Sequence, residues 1–271
     1  MASINHKTVW ITGASSGIGE ATAYELSKKG CSLLLSARSH EALEKVKSKC
    51  QNPETVKVLP LDLMQYEQMH SKVKEAFDAF ASIDILINNA GISQRSLIID
   101  TDFEVYKKLM EVNYLGTVAL TKAVLPYFIK QGQGHFVTVT SLMGKFGSPV
   151  RSGYCGSKHA LHGFFDVLRM EHEKDHIKVS LIAPGFVRTN IAKNALIGDG
   201  KLRGREDSDN ANGMRATDFA KKMVKAIEKG KFEVYMGGRE VLGIYLKRFF
   251  PKLLHRVVVK RSAKNQNASK N

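Results

Sequence analysis

Short apolar segments alternate with longer amphipathic segments along nearly the whole chain, and this alternation constrains the fold more than any other feature. Seven of the apolar segments have the length of strands, from KTVWIT near the N-terminus to KFEVYM near residue 235. Strands that are apolar throughout are buried on both faces, and a strand–helix–strand order requires a parallel sheet with right-handed crossovers. The sequence therefore predicts a doubly wound α/β fold with a seven-stranded parallel sheet. The predicted helices span about residues 17–29, 39–50, 65–80, 102–129, 152–174 and 217–229.

A glycine-rich stretch, TGASSGIG at residues 12–19, directly follows the first strand and opens the first helix. Glycines in such a turn allow a tight bend, a close approach of a pyrophosphate and close packing of the helix on the strand. The helix N-terminus favours phosphate groups. A plain turn needs only one glycine, so the stretch predicts a dinucleotide site in a single Rossmann-like domain. Its predicted contacts are Gly13, Ser15, Ser16, Gly17, Ile18 and Gly19.

The second strand ends in SARS, where a carboxylate would bind the ribose hydroxyls of NAD. Arg38 instead offers a guanidinium that suits the 2′-phosphate of NADP(H), and Ser15 can add a hydroxyl. The alternative is an ordinary solvated arginine at a strand end. Asp62, after the third strand, can accept a hydrogen bond from the adenine amino group. The NNAG stretch ends the fourth strand and can pass close to the adenine ribose through Asn89, Ala90 and Gly91.

The stretch GYCGSK at residues 153–158 places a tyrosine and a lysine on one helix face, about 6 Å apart along the axis. A free tyrosine is only about 0.1% phenolate at neutral pH. A cation about 4 Å away stabilises the phenolate by roughly 4 kcal/mol at an effective dielectric constant near 20. Lys158 is therefore predicted to make Tyr154 acidic. Ser141, at the end of the fifth strand, can bind a substrate oxygen, and Asn113 can hold a water that links Lys158 to solvent.

With these motifs in this order, together with PGFVRT at residues 184–189, the sequence resembles the classical short-chain dehydrogenase/reductase family from Lys7 to Val234. The resemblance implies an NAD(P)-dependent interconversion of alcohols and carbonyl compounds. It implies that Tyr154 is the acid/base, that Lys158 lowers its pKa and bonds the nicotinamide ribose, that Ser141 orients the oxygen and that Asn113 holds the relay water. It also implies nicotinamide contacts from the PGFVRT stretch, through Pro184, Gly185, Val187 and Thr189.

The resemblance further implies pairing into a homodimer or homotetramer through the two long helices. The SARS strand end is similar to NADP(H)-preferring members, and the whole is weakly similar to hydroxysteroid dehydrogenases. We expect an oxidoreductase without a metal site, a carbonyl reductase or alcohol dehydrogenase that transfers hydride between NADP(H) and an apolar secondary alcohol or ketone. The alternative is an NADPH-binding sensor or scaffold at a membrane surface, against which the intact set of Asn113, Ser141, Tyr154 and Lys158 argues.

The sequence predicts a dinucleotide-binding catalytic domain over residues 1–240 and a basic amphipathic extension over residues 241–271. The net charge is +15, and the extension contains eight Lys or Arg residues with no Asp or Glu. Its apolar side chains follow a helical stripe that Pro251 is predicted to break. Three interpretations remain open: the extension caps the substrate cleft or a subunit contact, lies on an anionic membrane, or does both. No nucleic-acid-binding module accompanies the charge.

The remaining features bear on localisation and on false motifs. The N-terminus lacks a signal-peptide pattern, and three widely spaced cysteines suggest reduced thiols, so we expect a cytoplasmic protein with or without membrane association.

The long polar segment after Thr189 predicts a lid or a tolerated insertion. HEKDH at residues 172–176 matches a zinc-protease pattern but is interpreted as an exposed polar face. Cys155 is interpreted as a small residue rather than a reactive thiol.

Overall fold

The computed structural model describes residues 4–268 and the side chains of residues 4–262. Its strands, in chain order, are β1 (Thr8–Thr12), β2 (Ser32–Ser36), β3 (Val56–Val58), β4 (Ile85–Asn88), β5 (Gly134–Val139), β6 (Ile177–Pro184), β7 (Val187–Arg188), β8 (Met214–Arg215) and β9 (Glu233–Met236). Seven of them form one parallel sheet in the order β3-β2-β1-β4-β5-β6-β9, and β7 and β8 form a separate pair. The predicted seven-stranded parallel sheet is confirmed.

The helices connect these strands as the alternation predicted. They are α1 (Gly17–Ser27), α2 (His40–Lys47), α3 (Met69–Ala79), α4 (Phe103–Met110), α5 (Gly116–Gln131), α6 (Ser152–Glu171), α7 (Ser208–Ala211), α8 (Ala216–Glu228), α9 (Leu242–Phe249) and α10 (Pro251–Ala268). The predicted single helix over residues 102–129 is divided in the structure. A π-helical segment at Glu111–Leu115 lies between α4 and α5 and contains Asn113.

Two layers of helices cover the two faces of the sheet, because successive strand residues point to opposite sides. On one face Ile11 and Leu35 pack with α1, α2 and α8. On the other face Trp10 and Phe136 pack with α3, α5 and α6. The two fully buried layers explain why the strands are apolar throughout. In the strand order, β1 lies between β2 and β4. The connections on the two sides of β1 therefore run in opposite directions, which leaves a crevice at the carboxyl end of β1.

The C-terminal helices α9 and α10 fold back onto the body of the protein. Pro251 begins α10 and separates the two helices, as predicted. Leu254 is 6% exposed and belongs to a small apolar cluster with Leu142 and Phe146. Over residues 4–268 no helix has both the length and the apolar character that crossing a membrane requires. Residues 1–3 and 269–271 of the two predicted domain ranges lie outside the described residues, and the division at residue 240 stays a prediction.

Candidate active site

A cleft of about 1570 Å³ opens at the carboxyl ends of the strands. Its lining begins at the glycine-rich turn, passes the end of β2, and continues to the N-terminal part of α6 and the C-terminal helices. Pockets for one small molecule usually measure about 300–1,000 Å³. The cleft therefore has room for a dinucleotide and a second small molecule.

The glycine-rich turn has the crowding and backbone conformation that only glycine accepts. Gly13 has φ +63°, and a Cβ there would lie 2.8 Å from the Cα of Ala90. A Cβ on Gly19 would lie 2.3 Å from the carbonyl oxygen of Gly13, so the start of α1 packs directly on the turn. Ser16 is the N-cap of α1, but its side chain makes no capping hydrogen bond. The first N–H groups of α1 thus remain available to an anion, as a pyrophosphate requires.

The NNAG stretch is fastened to this turn by side chains at the end of β1. The Thr12 hydroxyl accepts hydrogen bonds from the backbone N–H groups of Asn89 (3.1 Å) and Ala90 (3.2 Å). The Asn89 amide donates to the carbonyl oxygens of Thr12 (3.0 Å) and Gly13 (3.2 Å). These bonds hold the two predicted cofactor-binding stretches as one rigid surface, which runs on to Gly91.

The residues predicted at the adenosine end line the same cleft. Arg38 is exposed at the end of β2, where no carboxylate is present. The Asp62 carboxylate accepts a hydrogen bond from the backbone N–H of Met64 at 3.0 Å, which fixes its position after β3. Ser15 and Ile18 also contribute to the lining. The structure thus brings together residues from the ends of β1, β2 and β3, although no contact in it tests their roles.

The PGFVRT stretch begins at the end of β6 and lines the same cleft. Thr189 meets the turn directly, since a Cβ on Gly17 would lie 3.1 Å from the Thr189 methyl carbon. The carboxylate of Glu240 accepts from the backbone N–H of Phe186 at 3.2 Å and fills the space beside Gly185. Glu240 was missed at the sequence level, because nothing in the C-terminal sequence indicates a contact with residue 186. It helps to position Pro184, Gly185, Val187 and Thr189, all of which line the cleft.

Ser141, Tyr154 and Lys158 meet at the floor of the cleft. Ser141 follows β5 and accepts from the N–H of Met143 at 3.1 Å, so its own O–H can donate to another group. Tyr154 is half-buried near the start of α6, and Lys158 lies one turn further along, only 4% exposed. The Lys158 ammonium donates to the carbonyl oxygen of Val139 at 3.0 Å and lies 5.9 Å from the centre of the Tyr154 ring.

The surroundings of these groups shift their protonation equilibria. Burial raises the pKa of Tyr154, whereas a hydrogen bond with Ser141 and the positive charges of Arg95 and Arg151 oppose that rise. Burial lowers the pKa of Lys158 to about 8, because the ammonium loses hydration. The two arginines are cations near the phenol that the sequence analysis did not identify. The effect of Lys158 on the phenol stays a prediction.

Asn113 is buried in the π-helical segment and holds the chain after NNAG. Its side-chain oxygen accepts from the N–H of Ile92 at 2.8 Å, and its amide donates to the Ile92 carbonyl oxygen and to Ser157, both at 2.9 Å. One lone pair of the amide oxygen remains after these three bonds. The same oxygen would lie 3.1 Å from a Cβ on Gly91. Asn113 therefore links the segment after β4 to helix α6. Its role in holding a water stays a prediction.

Two other motifs behave as the sequence analysis interpreted them. Helix α6 ends at Glu171, His172 pairs with Asp175 at 2.8 Å, and His176 has φ +57°, so the two histidines of HEKDH do not share a helix face. Cys155 is 7% exposed, and burial raises the pKa of its thiol. A protonated, buried thiol is a weak nucleophile, which favours a packing role.

Comparisons with known proteins agree with this geometry. The profile of the short chain dehydrogenase family matches residues 7–198. The chain belongs to this family. It is 45% identical over 250 residues to human dehydrogenase/reductase SDR family member 7, which covers 90% of this chain and 74% of that protein. It is also 39% identical over 272 residues to the Drosophila melanogaster protein named dehydrogenase/reductase SDR family protein 7-like, covering 97% and 83% of the two chains.

Solved structures show the same fold. An alcohol dehydrogenase from Thermococcus sibiricus, complexed with 5-hydroxy-NADP, has a TM-score of 0.73, is 26% identical and covers 86% of this chain and 97% of its own. A short-chain dehydrogenase/reductase from Burkholderia phymatum, in complex with NAD, has a TM-score of 0.83 and is 23% identical. The match covers 93% of this chain and 96% of that chain. Membership of the short-chain dehydrogenase family makes this protein an oxidoreductase that acts on a small molecule with a nicotinamide cofactor.

Proposed function

We propose that the protein is an NADP(H)-dependent carbonyl reductase or alcohol dehydrogenase that acts on an apolar ketone or secondary alcohol. The observation that carries the proposal is the continuity of one cleft from the glycine turn to Ser141, Tyr154 and Lys158. A dinucleotide whose pyrophosphate lies at the N-terminus of α1 would reach these side chains with its other end. The absence of side chains at Gly13, Gly17 and Gly91, which line the cleft, leaves the backbone there open to close approach by such a ligand.

The chemistry follows from the side chains. When bound, the nicotinamide supplies or accepts the hydride. The Tyr154 phenol donates a proton to the carbonyl oxygen in reduction and takes it back in oxidation. The O–H of Ser141, which bonds Tyr154 in the structure, donates to the same oxygen and fixes its position. Lys158 bonds the ribose beside the ring, and Asn113 keeps the strand end and α6 in register through Ile92 and Ser157.

The preference for NADP(H) is argued from the end of β2. Arg38 is exposed on the cleft wall, and no carboxylate at this strand end would repel a 2′-phosphate. An arginine can pair with two phosphate oxygens at once. We expect Arg38→Asp to weaken NADPH binding at least tenfold and to leave NADH binding unchanged or improved, measured by titration of cofactor fluorescence. An unchanged ratio of the two affinities would remove the argument for NADP(H).

The decisive test of the activity is Tyr154→Phe. The wild-type protein is assayed for NADPH consumption over a panel of ketones, steroids and acyl substrates, with and without anionic vesicles. The variant should lose at least about a thousandfold in kcat while it binds NADPH normally, because the phenylalanine keeps the ring and removes only the proton donor. Equal turnover by the variant contradicts the mechanism. NADPH binding without turnover by the wild type favours the alternative, a sensor or scaffold.

The apolar nature of the substrate is inferred from the far end of the cleft. Met143, Phe146, Leu246, Leu254 and Val258 line this end. Two of them come from the C-terminal helix α10, which supports the interpretation that the extension caps the cleft. Their contacts select for size and apolarity, and they do not favour one ketone class over another.

We also propose that the extension touches an anionic membrane surface while it caps the cleft, in a protein of the cytoplasm. Its outer side exposes Tyr245, Phe249, Phe250 and Leu253, between 48% and 67% accessible. Lys247, Arg248, Lys252 and Arg256 accompany them, and the extension has no acidic residue to oppose the attraction. Interfacial helices combine apolar and basic side chains in this way.

Three buried free cysteines fit a reducing compartment, which supports the proposed location in the cytoplasm.

Vesicle sedimentation tests this contact. The full chain should bind vesicles that contain phosphatidylserine, bind neutral vesicles weakly, and release as salt rises. The double change Phe249→Ser and Phe250→Ser should weaken binding severalfold without loss of turnover of water-soluble ketones. Equal binding of the variant and the wild type would exclude this surface.

Oligomerisation through the long helices is also proposed. Leu115, Val167 and Met170 on the π-helical segment and α6 are 44%, 46% and 68% exposed, which suits burial against a second copy. Light scattering should give the mass of a dimer or tetramer, and Val167→Glu with Met170→Glu should give that of a monomer. A monomeric wild-type protein contradicts the proposal.

A further inference from the structure

Three arginine side chains surround the single carboxylate of Asp207 in the wall of the cleft. The Arg95 nitrogens Nε and Nη2 both lie 2.7 Å from Oδ2 of Asp207, and Arg151 Nη2 lies 3.5 Å from the same oxygen. Arg203 pairs with the other oxygen, Oδ1. The four side chains are between 8% and 16% exposed. The cluster thus carries two more positive charges than negative charges in a largely buried place.

A charge surplus of this kind is costly unless an anion offsets it. Removing a guanidinium from water costs several kcal/mol when no partner compensates. Burial, together with the neighbouring charge of Arg95, indeed lowers the pKa of Arg151 to about 10. Arg95 directs two nitrogens at one oxygen of Asp207, and Arg203 pairs with the other oxygen, so the carboxylate is shared among several guanidiniums. Arg151 and Arg203 retain donors that Asp207 does not use.

Other charged groups in this wall do not remove the surplus. Arg205, Glu206, Asp209 and Arg261 also line the cleft. Asp209 pairs with Arg261 at 2.7 Å, and Glu206 is exposed, with one oxygen accepting from the backbone N–H of Asp207 at 3.1 Å. Together these four groups are neutral, so the positive surplus belongs to the cluster around Asp207.

The cluster lies beside the reacting groups. Arg151 precedes Tyr154 by three residues and is the N-cap of α6. The side-chain oxygen of Gln94 accepts from the backbone N–H of Gly153 at 2.8 Å, which holds Arg95 against the same end of the helix. Both arginines also act electrostatically on the Tyr154 phenol. An anion held here would lie within about one helical turn of the carbonyl that Tyr154 protonates.

We propose that the substrate carries an anionic group, a carboxylate or a phosphate monoester, and that Arg95, Arg151 and Arg203 bind it. The proposal rests on the proposed function and narrows its substrate class. The cleft is cationic at the Asp207 cluster and apolar at Phe146, Leu246 and Leu254. The substrate is therefore an amphipathic ketone or alcohol, with its anionic group near the oxidised or reduced carbon and its apolar part under the C-terminal helices.

A purely mechanical role for the cluster predicts a different outcome. Asp207 lies on the long segment after Thr189, whereas Arg95 and Arg151 lie on the body, so the ion pairs also fasten that segment. If the cluster only held this segment in place, Arg151→Gln and Asp207→Asn would weaken anion binding equally. If the arginines bind an anion, the two changes act in opposite directions, because Asp207→Asn removes a competing carboxylate.

Calorimetric titration separates these cases without the need for a substrate. The full-length protein, with and without saturating NADP⁺, is titrated with octanoate, octyl phosphate and 1-octanol. We expect at least one of the two anions to bind tenfold or more tightly than 1-octanol. Arg151→Gln should lose most of that preference, Arg151→Lys should retain part of it, and Asp207→Asn should keep or increase it. Arg215→Gln, which breaks an exposed pair with Asp218 outside the cleft, is the matched control.

The outcomes assign the chemistry or reject it. Tighter binding of octanoate identifies a carboxylate site, and tighter binding of octyl phosphate identifies a phosphate site. Equal affinities for both anions and 1-octanol overturn the proposal, as does an equal loss of anion binding in Arg151→Gln and Asp207→Asn. Absence of NADP⁺ binding in the same titrations would count against the proposed oxidoreductase function. Normal NADP⁺ binding without a preference for anions would count against the anion site alone.

Discussion

Among single residues, the glycines illustrate how two physical demands can coincide at one position. Gly13 and Gly132 both have φ near +65°, a conformation that other residues adopt only with strain. They differ in their surroundings: a Cβ on Gly13 would lie 2.8 Å from the backbone of Ala90, whereas a Cβ on Gly132 would have nothing within 4 Å. Only Gly13 therefore combines backbone strain with crowding at the cofactor surface.

We expect Gly13→Ala to be much more damaging than Gly132→Ala. The change at Gly132 should lower the free energy of unfolding by about 1–2 kcal/mol, the cost of left-handed strain alone. The change at Gly13 adds a collision with backbone that cannot move without disturbing the NNAG stretch, so it should cost more and weaken NADPH binding at least tenfold. Chemical denaturation and cofactor titration measure both quantities. Equal costs at the two positions would refute the crowding argument.

At the scale of elements, the π-helical segment and the C-terminal helices are two parts of the site that lie outside the regular strand–helix alternation. The π-helical segment Glu111–Leu115 contains Asn113, whose side chain bonds both the N–H and the carbonyl oxygen of Ile92. Its sequence, EVNYL, has ordinary helical composition, so the interruption cannot be read from periodicity. The contact of Asn113 with Ile92, 21 residues earlier in the chain, is likewise not visible in the local sequence.

The docking of the C-terminal helices can be tested with two adjacent leucines. Leu254 is 6% exposed and packs near Leu142 and Phe146, whereas Leu253 is 48% exposed. Leu254→Asp should lower the free energy of unfolding by about 3 kcal/mol or release α10 from the body, because it puts a charge in place of a buried leucine. It should also raise KM for apolar ketones. Denaturation and steady-state kinetics give the two readouts.

Leu253→Asp is the matched control, with the same chemical change one residue away. It should change the free energy of unfolding by less than about 0.5 kcal/mol. It should reduce vesicle binding, since Leu253 lies on the side proposed to face the membrane. If the two variants lose the same stability, α10 is not docked through Leu254 as the structure shows.

For the molecule as a whole, the sequence predicts what short-range patterns determine and misses what only folding brings together. The seven strands follow from apolar segments, and Tyr154 and Lys158 follow from a spacing of one helical turn. Arg95 and Asp207 are 112 residues apart, and Glu240 meets Phe186 across 54 residues. Nothing local indicates these partners, because Arg95, Asp207 and Glu240 are common charged side chains with no motif around them. The position of the C-terminal helices was one of three open interpretations for the same reason.

The pH dependence of stability is also a property of the whole molecule, and a buried histidine contributes one part of it. His135 on β5 is 8% exposed, with Nε2 2.9 Å from the Ser180 hydroxyl. Ser180 donates its own proton to the carbonyl oxygen of Lys231 at 2.5 Å, so His135 Nε2 must be the donor of that bond. Burial and the charge of Lys178 lower the pKa of His135 to about 4. The ring is therefore neutral in the folded protein at physiological pH.

This lowered pKa destabilises the fold in acid. Above pH 6.5 the histidine is neutral in both the folded and the unfolded chain and contributes no pH dependence. As the pH falls from about 6.5 to 4, the histidine becomes protonated in the unfolded chain but stays neutral in the folded protein. The free energy of unfolding therefore decreases. The pKa difference corresponds to a loss of about 2 kcal/mol between pH 7 and pH 5. The loss levels off below pH 4, where both states are protonated.

His135→Gln should remove this contribution, because glutamine can still donate to Ser180 but does not titrate. Chemical denaturation at pH 7 and pH 5 gives the free energy of unfolding at each pH. The difference between the two values should shrink by about 2 kcal/mol in the variant. His255→Gln, on the exposed side of α10, should leave the difference as in the wild type. A pH dependence equal in His135→Gln and the wild type would mean that His135 does not resist protonation, and that its burial in the sheet is less complete than its contacts indicate.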